Sequence, residues 1–479
     1  MSKGGLFSFL LLFIFLSCAK KEEKNIKSEG VFQDGDRFVF MASYDESFAP
    51  EKSIRVFAVG HKFDIEDLES EEKFRASYEK FMQFIKPYFS KKYQNVVVFE
   101  EHAGLPLIFF GEKGKEARKL STLFGAVPLV SQKWANAISY YIQTFPEIST
   151  MLGRQIFLAL TDTMWRIFFN TFSYFAKNYG VWVVSCQDSP YPYISKENEG
   201  NISDFVDDLV QSEFFYKATT SDVWNSCFIF SPEGEIVHQT KKVNLVPTEV
   251  ELLNLSSGKY GELSVFRILG TEIDLCIGIS LDAFVPEYIY ELDKKGCDVF
   301  LQPDANSGAW ATTGGLGYWQ PLEWLGSTMG SIQQNYYIGC TNPHKALFLT
   351  GEKKCEFQKI QIKQKSIKYN VNPMMVGNLF DISFDGQTAI TGRDKRAKRD
   401  INYVGLLPLD KLTYGEKGEI MFPDGGFIVL GPWTFDLSGY SVEEQIKRAE
   451  ELQKTLQAGG ENEGKYISSI ISADITLGD

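Results

Sequence analysis

The chain has 479 residues, of which 44% are hydrophobic and 14% aromatic, and its formal net charge is −13. This apolar content is enough to bury a large core, and it excludes an intrinsically disordered protein. The acidic balance argues against a nucleic-acid partner, because phosphate backbones are repelled by a negative surface.

The first segment of the chain has the pattern of a bacterial secretory signal. An apolar run over 6–16 follows a positive charge, and Cys18 stands directly after the small residue Ser17. A cysteine in that position resembles a lipoprotein cleavage site. We therefore expect a signal peptide over 1–17, lipidation of Cys18, a charged tether over 18–50, and export to the bacterial cell envelope as a membrane-anchored lipoprotein. An ordinary signal peptide or an uncleaved anchor is the alternative.

The hydrophobic pattern after the tether alternates between strands and helices. Helices are predicted over 71–89, 286–295 and most of 115–179. Strands are predicted over 55–60, 95–99, 181–185, 225–230, 235–240, 273–279 and 298–301. Such alternation is typical of an α/β fold in which helices cover sheets.

A C-terminal extension is expected over 393–479. Within it, the segment 441–456 has apolar residues at the spacing of one helix face, namely Val442, Ile446, Ala449, Leu452 and Leu456. We interpret this segment as a docking helix that packs on a partner or on a second subunit.

The cysteines and histidines show no metal-binding spacing. The chain has four histidines, and none lies near a cysteine pair spaced for zinc, so no metal site is predicted. Export would permit disulfides, but the cysteine spacing demands none. We expect the cysteines other than Cys18 to be free, and most of them to be buried: Cys186, Cys227, Cys276, Cys297, Cys340 and Cys355.

Three segments each end a predicted strand with a reactive side chain. They read VVVFEE at 96–101, KKVNLVP at 241–247 and GISLDAFVPE at 278–287. Side chains at strand ends are held by a rigid sheet and still open to a cleft. A carboxylate, an amine and a nucleophile placed in this way can perform acyl transfer, because the carboxylate takes a proton and the ammonium stabilises an oxyanion.

In this order the three segments resemble the signatures of the carbon–nitrogen hydrolase (nitrilase) superfamily. The resemblance implies that Glu101 is the general base and Lys242 the oxyanion stabiliser, and that Ser280 stands where the superfamily has its nucleophilic cysteine. A second glutamate of the superfamily corresponds to Glu249, with Glu251 as the other candidate. The strings WNSCFIFSPEGEIV and KKGCDVFLQPDAN, which flank the lysine and serine segments, resemble superfamily sequence as well.

The resemblance covers 53–390, and we assign 51–392 to a nitrilase-like domain. It implies an α-β-β-α sandwich, in which two central β-sheets are flanked by helices. It also implies a homodimer without a cofactor that hydrolyses a non-peptide C–N bond of a small amide or nitrile-like substrate. The segments outside this range are expected to be additions to the domain that are not part of its core.

Ser280 is the departure from the superfamily pattern. A hydroxyl is harder to deprotonate than a thiol and needs a well-placed base, usually histidine. No histidine is near Ser280 in the sequence, and Cys276 is expected to lie about 13 Å away along the same strand, too far to replace it. Two functions therefore remain open: an amidase-like hydrolase with Ser280 as acyl acceptor, and a catalytically inactive lipoprotein that binds a small ligand in the same pocket.

Overall fold

The computed structural model describes residues 24–190, 194–197, 201–307, 324–332, 335–338, 360–363, 366–398, 425–434 and 442–478. Its strands are β1 Lys24–Val31, β2 Arg37–Tyr44, β3 Ser53–Gly60, β4 Lys62–Phe63, β5 Gln94–Val98, β6 Trp182–Ser189, β7 Ile194–Glu197, β8 Phe215–Ala218, β9 Trp224–Phe230, β10 Ile236–Lys241, β11 Phe266–Arg267, β12 Asp274–Ile277, β13 Val299–Leu301, β14 Asn335–Ile338, β15 Ile360–Lys363, β16 Tyr369–Asn372, β17 Val376–Leu379, β18 Ile382–Phe384, β19 Ala389–Gly392, β20 Gly426–Leu430 and β21 Ser468–Thr476. Its helices are α1 Glu71–Ile85, α2 Gly111–Gly114, α3 Leu123–Lys133, α4 Ala135–Thr144, α5 Leu152–Ala159, α6 Thr161–Tyr179, α7 Pro247–Glu251, α8 Pro286–Lys294, α9 Trp324–Gly330 and α10 Val442–Leu456.

Some predicted features lie outside the described residues, namely the signal peptide over 1–17, Cys18, Cys340 and Cys355. Among the helices that the structure describes, none is both long enough and apolar enough to cross a membrane.

Two large sheets carry the fold. The first sheet has eight strands in the order β1-β2-β21-β3-β5-β6-β9-β10, and the second has six in the order β11-β12-β13-β16-β19-β20. Strands β3, β5 and β6 are parallel neighbours, and so are β12, β13 and β16. Because parallel neighbours end at the same edge of a sheet, the residues that follow these strands are brought close together.

The two sheets face each other across an apolar core. Val56 and Val98 from the first sheet lie in one buried cluster with Ile277 and Leu301 from the second. Phe172 of α6 belongs to a second cluster, with the helices that pack against the outer face of the first sheet. A third cluster joins α8 to the second sheet. The predicted α/β fold, with two central sheets flanked by helices, is confirmed.

Helix α1 shows how local sequence sets an element boundary. Ser70 caps its first turn with a hydroxyl that accepts a backbone N–H, and Phe74 and Phe81 lie on its buried face. The helix ends at Ile85, earlier than the predicted 89. Pro87 explains the difference, because proline has no N–H with which to continue the helical ladder.

The two ends of the chain belong to the first sheet, which corrects two expectations. The tether expected over 18–50 contains β1 and β2, and the extension expected over 393–479 contains β21. Strand β21 lies inside the sheet, parallel to β2 and antiparallel to β3. The edge strand β1 is largely exposed and rich in charge, which is why its sequence is typical of a tether.

The helix predicted over 441–456 is confirmed as α10, and its end packs on the chain itself. Leu456 is buried in the core of the second sheet, and Leu452 is partly buried against it. Gln453 Nε2 donates to Asp385 Oδ2 at 3.0 Å. The last turns of α10 therefore dock on their own chain; the side chains of Val442, Ile446 and Ala449 lie outside the described residues.

The expectation of free cysteines is wrong for four of them. Cys186 on β6 forms a disulfide with Cys227, which lies directly opposite on β9. Cys276 on β12 forms a disulfide with Cys297, just before β13. Each bond links neighbouring strands of one sheet, so strand order and register determine the pairing. Cys276 is therefore unable to act as a replacement nucleophile.

We predict that Asp474→Ala, in β21, lowers the free energy of unfolding by about 3–5 kcal/mol. Arg55 on β3 donates from Nε and Nη2 to the two oxygens of Asp474 at 2.6 and 2.9 Å, and both side chains are buried. The substitution leaves a buried guanidinium without its counter-ion. Urea denaturation measures the effect, and Glu116→Ala, which breaks an exposed pair with Lys119, should change the value far less, because solvent screens an exposed pair. Equal effects would contradict an integral role for β21.

Candidate active site

Three charged side chains meet at one edge of the first sheet. Glu101 follows β5, Lys242 follows β10, and Glu249 lies on α7 shortly after it. None of the three is more than 2% exposed. We call Glu101, Lys242 and Glu249 the charged cluster. The other candidate for the second glutamate, Glu251, is exposed to solvent.

Lys242 holds the charged cluster together. Its Nζ donates to Glu101 Oε1 at 2.8 Å and to Glu249 Oε1 at 2.9 Å. Asn225 on β9 donates from Nδ2 to the same two oxygens, at 2.8 and 3.0 Å. The second oxygen of Glu101 accepts the N–H of Ala305 at 2.9 Å. Each polar atom of the cluster is thereby fixed in position before any ligand enters.

The electrostatics of the cluster favour its charged form. Burial alone would raise the pKa of Glu101, but Lys242 and His102 outweigh burial and hold that pKa below its ordinary value. Burial alone would lower the pKa of Lys242, but Glu101 and Glu249 outweigh it and raise that pKa. Glu101 and Lys242 are therefore ionised at neutral pH, and Lys242 presents a fixed positive charge.

His102 borders the charged cluster, although the sequence analysis did not single it out. Its Nδ1 lies 2.8 Å from Asp188 Oδ2, and its Nε2 lies 3.6 Å from Glu101 Oε1 and 3.9 Å from Glu249 Oε1. Burial would lower its pKa, but Asp188 and Glu101 outweigh burial and raise the pKa of His102 to about 9. At neutral pH His102 is thus a second cation beside the two glutamates.

Glu101, His102 and Glu249 also form a set of donor atoms within 4.8 Å of one another, a spacing that suits a metal ion. Two features oppose that role. The Lys242 ammonium already lies between the two carboxylates, and a protonated His102 has no free lone pair for a metal. The positive charge that this site needs is supplied by Lys242.

Ser280 lies at the turn from β12 into a short 3-10 helix, Ser280–Phe284. It is partly exposed, and its φ of 48° lies in the left-handed region that non-glycine residues seldom adopt. Its N–H donates to Pro303 O at 3.1 Å, and its hydroxyl lies close enough to the Asp304 carboxyl to lower the pKa of that carboxyl. Since the next residue, Ala305, donates to Glu101, residues 303–305 join Ser280 to the charged cluster.

Asp282 fastens the Ser280 turn to the Lys242 loop. Its Oδ1 accepts from the backbone N–H and from Nδ2 of Asn244, both at 2.8 Å. Asn244 comes two residues after Lys242, so the buried carboxyl of Asp282 fixes the spacing between the lysine and serine segments. Burial raises the pKa of Asp282 to about 7.

The structure thus brings Glu101, Lys242 and Glu249 into direct contact, and it joins Ser280 to them through residues 303–305 and through Asp282. The sequence did not identify four polar residues of the site, although three of them stand next to or inside the motifs quoted above. His102 follows Glu101 directly, and Asn225 and Asp304 lie inside the two flanking strings that resemble the superfamily. Asp188 lies near the end of β6 and belongs to no such motif, so only the strand order shows that it lies beside His102.

Comparison with known proteins gives structural neighbours. No family model matches the chain, and the search of curated proteins found no match. A cysteine-to-serine mutant of the amidase from Nesterenkonia, a nitrilase-superfamily enzyme, covers 71% of this chain and 83% of its own at 12% identity and a TM-score of 0.36. A carbon–nitrogen hydrolase from Helicobacter pylori covers 72% and 83% at 12% identity and a TM-score of 0.39. This chain is therefore similar in structure to nitrilase-superfamily amidases and a carbon–nitrogen hydrolase.

Replacing Asp188 with Asn is predicted to move the titration of His102 from about 9 toward its ordinary value of 6.5. The raised pKa means that His102 stabilises the fold fully below pH 6.5 and loses this effect as the pH rises through 9. The free energy of unfolding of the wild type should therefore fall by about 2 kcal/mol between pH 7.5 and 9.5, and less in the variant. NMR titration of the imidazole and urea denaturation measure the two effects; an unchanged midpoint would contradict the assignment.

Proposed function

We propose that this protein hydrolyses a non-peptide C–N bond of a small amide, with Ser280 as the acyl acceptor. In this scheme Lys242 stabilises the oxyanion that forms when the Ser280 oxygen adds to the amide carbon. Glu101 and Glu249 hold the ammonium in position. The resemblance implies that Glu101 is also the base that accepts the serine proton, and the carboxyl of Asp304 is the other candidate. The acyl group on Ser280 is then released by water.

The main support for the proposal is the buried ammonium of Lys242, which the structure links to the Ser280 turn. A charge in a water-poor site stabilises a developing oxyanion far more than the same charge in water. Here Lys242 is 2% exposed, its ammonium is aligned by Glu101 and Glu249, and its loop is fastened to the Ser280 turn through Asp282. A site that only bound a neutral amide would not need this fixed charge.

The backbone of Ser280 supports the same function. A non-glycine residue with positive φ costs on the order of 1–3 kcal/mol, and such strain gathers at functional sites. The turn places a partly exposed serine at a strand end, as the nucleophile turn of other acyl-transfer enzymes does.

A second candidate function is ligand binding without turnover, and Ser280 itself favours it. The superfamily that the chain resembles uses a thiol at this position, and a hydroxyl ionises far less readily. A pocket that kept the charged cluster but lost the thiol would still bind a small amide or carboxylate.

Ser280→Ala is predicted to lower turnover at least 1000-fold, on the order expected when a nucleophile is lost. The wild type, Ser280→Ala and Ser280→Cys are compared on a panel of short amides and nitriles. Turnover by the wild type that disappears in Ser280→Ala supports the hydrolase. Turnover by Ser280→Cys alone, with calorimetric binding of the amide to the wild type, would instead support the binding protein.

We also propose that the chain is exported and anchored through a lipid on Cys18. The two disulfides, Cys186–Cys227 and Cys276–Cys297, support export, because disulfides persist in oxidising compartments.

Cys18→Ala should abolish incorporation of a labelled fatty acid and release the protein from the membrane fraction. Ser17→Ala keeps a small residue before Cys18 and should stay lipidated, which makes it the matched control. Fractionation of cells that express each variant measures both effects. A wild type without label in the membrane fraction would contradict the anchor.

A further inference from the structure

The hydroxyl of Ser280 contacts a buried carboxyl that does not belong to the charged cluster. Asp304, three residues beyond the end of β13, is 2% exposed and follows Pro303, whose carbonyl accepts the Ser280 N–H at 3.1 Å. The Ser280 hydroxyl lies close enough to the Asp304 carboxyl to lower its pKa. The N–H of Asp304 donates to Pro373 O, and its carbonyl accepts from Met375 N, both at 3.0 Å. The backbone is therefore fixed on both sides, and the carboxyl is held at the serine.

Buried amides orient this carboxyl. Gln302 Nε2 and Asn372 Nδ2 each donate to Asp304 Oδ2 at 2.9 Å. Gln302 is held in turn by Asn370, whose Nδ2 donates to Gln302 Oε1 at 2.8 Å. All three amide residues are completely buried. They fix the direction of the carboxyl without adding a positive charge.

Asp304 and Glu101 differ as bases in a way that follows from their neighbours. Glu101 accepts from the Lys242 ammonium, which holds its pKa low and makes it a weak base. Asp304 has only neutral donors, and burial together with the negative charge of Glu101 raises its pKa to about 7. A base with a pKa near the working pH is the more effective proton acceptor.

We infer that Asp304 is a further catalytic residue, the base that accepts the proton of the Ser280 hydroxyl; this inference rests on the proposed acyl transfer to Ser280. As the Ser280 oxygen bonds to the amide carbon, its proton moves to the Asp304 carboxylate. The proton passes to the leaving nitrogen as the C–N bond breaks. Water then adds to the acyl carbon and gives a proton to Asp304, and the Ser280 oxygen leaves with that proton. Asp304 ends each half-reaction as a carboxylate.

The test measures the reactivity of Ser280 with an alkyl fluorophosphonate, which needs no knowledge of the substrate. The serine oxygen bonds to phosphorus and fluoride leaves, so the rate reports how well Ser280 is deprotonated. Asp304→Asn should slow the labelling of Ser280 at least 100-fold, as expected for the loss of a general base. Mass spectrometry locates the label, and thermal unfolding verifies that the variant is folded.

Two controls separate a base from a structural residue. Asp298→Asn alters another aspartate with a raised pKa, before β13 instead of after it, and should leave labelling unchanged. In the Ser280→Cys background, Asp304→Asn should slow alkylation by iodoacetamide less than about tenfold, because a thiol ionises without a strong base.

Two further readouts depend on proton transfer alone. The wild-type labelling rate should rise with pH through a midpoint of about 7, and Asp304→Asn should lose this rise although Asp282 is still present. Added formate should restore labelling to Asp304→Ala, which keeps the test valid if the Asn variant fails to fold.

The outcomes distinguish this inference from the proposed function. Equal labelling of the wild type and Asp304→Asn, or equal slowing in the serine and cysteine backgrounds, would overturn the role of Asp304. The protein could be labelled in a way that depends on Asp304 and yet hydrolyse no amide of the panel. That result would support the role of Asp304 and contradict the proposed amide hydrolysis. A wild type that is neither labelled nor active overturns both.

Discussion

The buried ammonium of Lys242 is the constraint on which the rest of the site depends. An ammonium taken out of water without a counter-ion is strongly destabilising, so Glu101 and Glu249 have to meet it at hydrogen-bonding distance. Glu101 lies 141 residues before Lys242 in the sequence, and each follows the end of a different strand. The order β5-β6-β9-β10 in the first sheet is what brings them together, and Asn225 and Asp188 come from the two strands between. The charge arrangement and the strand order therefore depend on each other.

The second sheet supplies the reacting side chain and its surroundings. Ser280 follows β12, Asp304 follows β13, and Asn372 ends β16, and these three strands are parallel neighbours. The fixed charge thus comes from one sheet and the nucleophile from the other. Asp282 joins the two through the Asn244 amide, and Ala305 joins them through Glu101. Because the apolar core between the sheets sets their separation, packing far from the site also positions the lysine relative to the serine.

Local patterns in the sequence were enough to predict the α/β class, most strands before residue 301, and the residues that end β5, β10 and β12. Pairing between distant segments could not be predicted in the same way. Strand β21 lies between β2 and β3, and Cys186 lies opposite Cys227. Neither pairing can be recognised from the sequence of one segment alone. His102 and Asp304 were not predicted as site residues for a related reason. Each is an ordinary polar residue in a loop until strand order shows which side chain it faces.

Whether Ser280 can act in place of a cysteine depends on Asp304. A thiol beside the Lys242 ammonium ionises readily, and a cysteine at this position would need little help from a base. A hydroxyl in the same place needs a proton acceptor within hydrogen-bonding reach. Asp304 lies beside that hydroxyl, and its carboxyl accepts from the neutral amides of Gln302 and Asn372, whereas Glu101 accepts from the Lys242 ammonium. Serine in place of cysteine is therefore compatible with catalysis here, because this chain places a base where a serine requires one.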